Sequence, residues 1–186
     1  AGKMEEILIV SSTQKGRILL EELLGSHHFD HIITAESGSK ARRMILENRF
    51  DLVVINSPLS DEFGHELALM VAESSNAGIL MMVKSELADE VSAKVEDYGV
   101  FVVPKPVSKQ LFFQSLKLIE ASCKRIQGLK KENIRLQQKI EEISLMDRAK
   151  CALVQYLGLN EAQAHRYIEK QAMDRRITKR EVSVDI

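Results

Sequence analysis

The 186-residue chain has no tryptophan, and only three prolines and two cysteines. Cys123 and Cys151 are too few and too far apart for the disulfide framework of a small secreted domain or for a zinc ligand set, so a reducing, cytoplasmic compartment is expected. No apolar run approaches the roughly 20 residues that span a bilayer. The first run, Ile7 to Val10, ends at Ser11 and Ser12, too short for a signal-peptide core, so a protein that is neither exported nor membrane-bound is expected. Ala1, Gly2 and Lys3 precede the first methionine and are set aside. The formal net charge is -1 with 28% charged residues, so no uniformly basic coat exists and any nucleic-acid surface must be local. With 45% hydrophobic residues the composition is that of a folded protein. The length suits one full domain and a smaller second one.

Signatures of enzymes are missing as well. There is no Gly-rich phosphate loop, no HExxH, and no Ser, His and Asp grouping, so the chain is read as a non-enzyme without a cofactor. His27, His28 and His31, with Asp30, are close in sequence but fall in a loop-to-strand segment and are read as surface residues rather than metal ligands.

The first half does carry a strong pattern. Short β-rich apolar runs at Ile7 to Val10, Ile32 to Thr34, Leu52 to Ile55, Ile79 to Val83 and Val100 to Val103 alternate with helical spacings. These helical sets are Ile18, Leu19 and Leu23; Ala41, Met44 and Ile45; Leu67, Met70 and Val71; and Leu87, Val91 and Val95. Apolar strands separated by helices predict a parallel sheet covered on both faces, a flavodoxin-like doubly wound α/β domain of five strands over residues 4–118.

From Val107 onward the strand signal and the prolines stop. Ile119, Ser122, Ile126, Leu129, Asn133, Leu136, Ile140 and Ile143 alternate four and three apart, the heptad seam of a coiled coil over residues 119–145. Asn133 at an a position fits a register-fixing polar contact in a homodimer better than a packed monomer core. The flanking charges do not decide between parallel and antiparallel helices. Beyond the seam, Leu157-Gly158-Leu159 ends a helix, Asn160 with Gln163 opens another, and Thr178 with Glu181 a third. The tail, residues 146–186, therefore reads as an all-α three-helix module with Ala149, Leu153, Leu157, Ala164, Ile168, Met173, Ile177 and Val182 on its apolar faces.

Two resemblances follow from these segments. Val103-Pro104-Lys105-Pro106 after the fifth strand, Phe50-Asp51-Leu52-Val53-Val54 in the third and the later Gly64 resemble the receiver domain of bacterial two-component response regulators. That family carries a pair of acidic residues after the first strand, a phosphoacceptor aspartate after the third, and Ser or Thr after the fourth. Here those positions hold Ser11 and Ser12, Asn56, and Val83; only Lys105 of the polar set remains. Serines and an amide supply no carboxylate for Mg²⁺, and an amide is a poor nucleophile. The resemblance thus implies a pseudo-receiver that works without aspartyl phosphorylation and takes its signal from a regulatory protein or small ligand. Lys105 is either solvated or holds Asn56 or a nearby carbonyl, while Asp61 and Glu62 are read as solvent-facing.

Met146-Asp147-Arg148-Ala149-Lys150, Leu157-Gly158-Leu159-Asn160-Glu161-Ala162-Gln163-Ala164 and Gln171-Ala172-Met173-Asp174-Arg175-Arg176 resemble, in order and spacing, the ANTAR module of RNA-binding transcription antitermination regulators. Cys151 stands where that family usually has Gly, Tyr167 is displaced from the commoner aromatic position, and the chain's stop at Ile186 leaves a short last helix. The resemblance implies a dimer presenting two modules to stem-loop RNA. Arg148, Lys150, Arg166, Lys170, Arg175, Arg176, Lys179 and Arg180 would attract phosphates, and Tyr167 would stack on unpaired bases. Two other readings stay open on the residues alone: a DNA-binding response regulator, because helix-Gly-helix before an arginine-rich helix can describe a helix-turn-helix, and a protein-interaction scaffold that binds no nucleic acid.

Overall fold

The computed structural model describes residues 5–25, 29 and 31–186. His27, His28 and Asp30 of the histidine grouping lie outside the described residues. Among the described residues no set of His, Cys, Asp or Glu side chains converges on a metal position, and no helix is long and apolar enough to cross a membrane. The chain divides into two compact units, residues 1–126 and 127–186.

The first unit alternates strand and helix: β1 (Glu6–Val10), α1 (Gln14–Gly25), β2 (His31–Ala35), α2 (Gly38–Glu47), β3 (Leu52–Asn56), α3 (His65–Ser74), β4 (Gly78–Lys84), α4 (Ala88–Val95), β5 (Val100–Lys105), and the first turns of α5 (Lys109–Leu157). All strand pairs are parallel, in the order β2-β1-β3-β4-β5, which is the flavodoxin-like order the strand pattern predicts. Since successive strand residues point to opposite faces, each apolar run supplies two cores. Leu8, Val10, Val53, Ile55, Met81 and Val83 pack with Ala41, Leu67, Val71, Val91 and Val95 of α2, α3 and α4. Ile7, Ile9, Leu52, Val54, Leu80 and Met82 pack with Leu20 and Leu24 of α1 and with Phe112, Leu116 and Ile119 of α5.

Two expectations are corrected here. In α1 the buried positions are Leu20 and Leu24, whereas Ile18 and Leu19 face solvent; with Ile18-Leu19-Leu20 consecutive, more than one helical phase fits the apolar pattern. Ile119, expected to begin the dimer seam, is 1% exposed and belongs to the second core. Gly78 lies against it so closely that a Cβ there would collide with the Ile119 side chain. The 3–4 spacing of α5 thus runs without interruption from residues that dock on the sheet into residues that do not.

From Ile126 onward the expected seam is open: Ile126, Leu129, Asn133, Leu136, Ile140 and Ile143 are all exposed. The second unit is built from the later part of α5, α6 (Glu161–Arg175) and α7 (Lys179–Asp185). Its core consists of Ala149, Leu153, Ala164, Ile168, Ala172 and Val182, with Met146, Leu159 and Ile177 packed around it. Leu157 and Met173, expected on the inner faces, are exposed, and Ala172 is the buried residue one position before Met173. Gly158, with φ +66, permits the reversal after α5 in a conformation that side chains with a Cβ rarely adopt.

Candidate functional site

In the receiver-like unit the residues read as a degenerate phosphorylation site lie at the C-terminal ends of β1, β3, β4 and β5. Ser11, Asn56 and Lys105 bond to one another. The Asn56 side-chain amide donates to Ser11 Oγ at 3.1 Å. Lys105 Nζ donates to Asn56 Oδ1 at 3.0 Å and to the Ser57 carbonyl at 2.5 Å, so its role is to hold the amide and a carbonyl rather than to project into solvent. Burial, and secondarily the nearby Lys84, lowers the Lys105 pKa from its ordinary value. Arg17 of α1 donates to the Ser11 carbonyl at 2.7 Å, and Ser12 Oγ donates to the Glu36 carbonyl at 2.9 Å while accepting from the Ser60 amide at 2.6 Å. Val83 is fully buried in the first core. A Cβ at Gly16 would sit 2.5 Å from Ser11 Oγ and 2.8 Å from Asn56 Nδ2, so this glycine lets α1 close down over the network.

Nearby carboxylates point elsewhere. Asp61 accepts from the backbone N–H groups of Gly38 and Ser39 at 2.8 and 2.9 Å and from the Ser39 hydroxyl at 2.8 Å. Anion stabilisation by the first amides of a helix is the physical reason its pKa falls from 3.8 to about 2. Glu62 forms a two-pronged ion pair with Arg42 of α2 and is mostly buried, so its reading as solvent-facing is corrected, whereas Asp61 is exposed as expected, with its carboxylate bonded to the start of α2. Gly64, with φ +115, lets the loop turn into α3 beside Ile55. What remains at the strand ends is a hydrogen-bonded cluster around the half-buried Lys105 cation, with no carboxylate bonded to it among the described residues.

The helical unit distributes its polar groups differently. Both expected capping boxes are formed: Asn160 and Gln163 exchange side-chain and backbone hydrogen bonds at the start of α6, as do Thr178 and Glu181 at the start of α7. Glu181's pKa is lowered chiefly by the Thr178 backbone N–H. α6 ends at Arg176, whose backbone is left-handed at φ 53.

The candidate RNA-binding residues fall into two sets. Lys150 pairs with Asp147 at 3.1 Å and Glu161 at 3.7 Å, Arg175 with Asp185 at 2.7 Å, and Lys179 with Glu169 at 2.6 Å. The Asp147 hydrogen bond is the main reason Lys150's pKa is raised, and Lys179's is the main reason Glu169's is lowered. Arg148, Arg166, Lys170, Arg176 and Arg180 are exposed, and the structure gives none of them an ion pair or side-chain hydrogen bond among the described residues. On a helix of 3.6 residues per turn, Arg166 and Lys170 stand four apart, directly opposite the buried line of Ala164, Ile168 and Ala172. Tyr167, at 39% exposed, occupies the shoulder of that ridge. The groove at the start of α6 is lined by Lys150, Glu161, His165, Arg166 and Glu169, a mixture of charges that favours neither sign.

Two exposed aromatics, Tyr98 and Tyr156, escaped the sequence reading. Tyr156 lies in the last turn of α5 and is 78% exposed, the most exposed of the chain's three tyrosines. All six phenylalanines, by contrast, are buried or half-buried. Its position beside Leu157 and Gly158 reads in sequence as an ordinary helix end, and only its lack of covering residues sets it apart.

Comparison with known proteins agrees with this division. Solved structures similar to the first unit include the signal receiver domain of an HD domain-containing protein from Pseudomonas fluorescens Pf-5, 18% identical with a TM-score of 0.61, covering 69% of this chain and 95% of that one. The receiver domain of HemR from Leptospira biflexa, in non-phosphorylated form, is 26% identical with a TM-score of 0.55, covering 62% of this chain and 93% of that one. The fold is therefore that of a response-regulator receiver. Residues 135–186 match the ANTAR domain family. Over nearly its whole length the chain is also similar to the transcriptional regulatory protein PdtaR of Mycobacterium tuberculosis, 25% identical over 177 residues, covering 95% of this chain and 86% of that protein. The chain thus joins a receiver-like fold to a C-terminal region that matches the ANTAR domain family.

Proposed function

We propose that this protein is an RNA-binding transcription antitermination regulator, without enzymatic activity, that acts in the bacterial cytoplasm as a homodimer on stem-loop RNA. The observation that carries the reading is the ANTAR match over residues 135–186 on a helical unit whose outer surface exposes Arg148, Arg166, Lys170, Arg176 and Arg180, with no ion pair to any of them among the described residues. Unpaired cations release counterions on meeting phosphates, whereas Lys150, Arg175 and Lys179 must first give up a carboxylate. The domain plan is a pseudo-receiver over residues 4–118, a dimer-forming segment within 119–145, and the RNA-binding module over 146–186. Dimerisation rests on the exposed side chains of Ile126, Leu129, Leu136, Ile140 and Ile143, a stripe at heptad spacing that a second copy would cover, with Asn133 fixing the register.

The receiver-like unit works independently of aspartyl phosphorylation. Ser11, Asn56 and Lys105 bond to one another, and among the described residues no carboxylate bonds to them that could hold Mg²⁺ beside a phosphoryl donor. Input then comes through a regulatory protein or small ligand that binds one arrangement of the protein better than another. Acetyl phosphate with Mg²⁺ should leave the intact mass unchanged; an acid-labile gain of one phosphoryl group would refute this part. The antitermination role is tested by in vitro transcription through an intrinsic terminator preceded by a hairpin that the protein binds. Read-through should rise with protein concentration, and a terminator indifferent to saturating protein would count against the role.

A further inference from the structure

We infer that Tyr156 is a base-stacking residue of the RNA interface, and that together with Arg148 it extends the binding surface onto the last turns of α5; this rests on the RNA-binding reading above. On an α-helix Arg148, Ala152 and Tyr156 succeed one another at i, i+4 and i+8, so they form one ridge along the helix surface. Arg148 is exposed, with no ion pair or hydrogen bond given to it among the described residues, Ala152 is small, and Tyr156 is 78% exposed. The two ends of the ridge are about 12 Å apart along the axis at 1.5 Å per residue, which is room for a phosphate at one end and a splayed base at the other.

Tyr156 also lies only about 20° around the helix from Ala149, on the side of α5 that is buried at Ala149 and Leu153. One turn further on, that side is left uncovered. A ring in this position keeps both the apolar face and the phenol open, with no hydrogen bond to Tyr156 among the described residues. Stacking platforms for unpaired bases have this character, because the aromatic face gives affinity with little dependence on base identity while neighbouring cations track the backbone. Tyr167, the aromatic expected from sequence, is half as exposed and flanks the core residue Ile168, so it is the less available of the two.

The test uses the full chain and the hairpin most enriched by the wild-type protein from an RNA pool with one stem and randomised loops. Wild type, Y156A and Y156F are titrated against that hairpin and against the same stem with its loop bases replaced by abasic sites. Y156A should lose about 5- to 150-fold in affinity for the intact loop, the range expected for one stacked base, and nothing for the abasic hairpin; Y156F should bind like wild type. Because the chain has no tryptophan, tyrosine emission reports directly, and the part quenched by RNA should vanish in Y156F. Equal binding of Y156A and wild type to the intact loop would overturn the stacking role while leaving RNA binding in place. A sedimentation shift of Y156A to monomer would overturn it in favour of a subunit contact. Failure of the wild type to bind any hairpin would remove this inference together with the reading it rests on.

Discussion

The strand ends of the receiver-like unit and the outer face of the helical unit both collect polar side chains, and they treat them in opposite ways. At the strand ends Ser11, Asn56, Lys105 and Arg17 use their donors and acceptors on one another and on backbone carbonyls. On the helical unit Arg148, Arg166, Lys170 and Arg176 are exposed with no ion pair among the described residues, and Tyr156 is exposed. A group already hydrogen-bonded must exchange a good partner for a ligand, while a solvated cation exchanges only water and counterions. The cluster at the strand ends therefore offers a ligand fewer free groups than the helix surface does.

The sharpest way to separate the two units is along α5. Replacing Ile126 and Ile140 by Asp should convert dimers to monomers in sedimentation while leaving the receiver-like fold intact, because both side chains are exposed in the single chain. Dimers of undiminished affinity would place the subunit contact elsewhere. Ile119→Ala should do the reverse: it removes a side chain buried against Gly78 and the sheet, costing about 2–5 kcal/mol of receiver stability in denaturant titrations with little direct effect on association. A loss below about 1 kcal/mol would show that Ile119 is not a core residue.

Within the helical unit, the two sets of cations should behave differently. Changing Arg148, Arg166 and Lys170 to Ala should flatten the salt dependence of RNA binding, each lost phosphate contact lowering the slope of log K against log salt by somewhat under about one unit. Changing Lys150, Arg175 and Lys179 should alter that slope less, since their charges are already offset by Asp147, Glu161, Asp185 and Glu169. Equal slopes in the two triple mutants would erase the distinction between free and paired cations. A smaller effect concerns Asp61, which is less readily protonated in the folded protein than in the unfolded chain. Its contribution is complete above pH 3.8 and is lost as pH falls through about 2. Asp61→Ala should lower the melting midpoint at neutral pH by roughly 2–4 °C, and the gap from wild type should close on acidification; a gap independent of pH would show that the carboxylate's charge is not what matters.

Much of this architecture is legible in the sequence because the strand runs are apolar throughout and the helices between them are periodic. Legibility fails where one pattern serves two purposes. Ile119 and Ile126 have the same heptad spacing, yet one packs on the sheet and the other is exposed; spacing along a helix does not say what the helix packs against. Met173 is larger and more hydrophobic than Ala172, but the close approach of α5, α6 and α7 accepts the small residue and turns the large one outward. At the strand ends, residue types alone show that Ser11, Ser12 and Asn56 supply no carboxylate. They do not reveal that Asp61 and Glu62 are drawn away to Gly38, Ser39 and Arg42, because those partners lie 20 to 23 positions upstream.

The central claim is that the helical unit recognises unpaired RNA, and one titration addresses it most directly. The full-length protein is titrated at two salt concentrations against an enriched RNA hairpin, the same RNA stem without its loop, and duplex DNA of the stem sequence. Salt-sensitive binding that is tightest for the hairpin and weaker for both duplexes is the predicted result, since phosphates supply affinity common to all three and only the loop offers bases to stack. Equal affinity for duplex DNA and hairpin RNA would contradict the account.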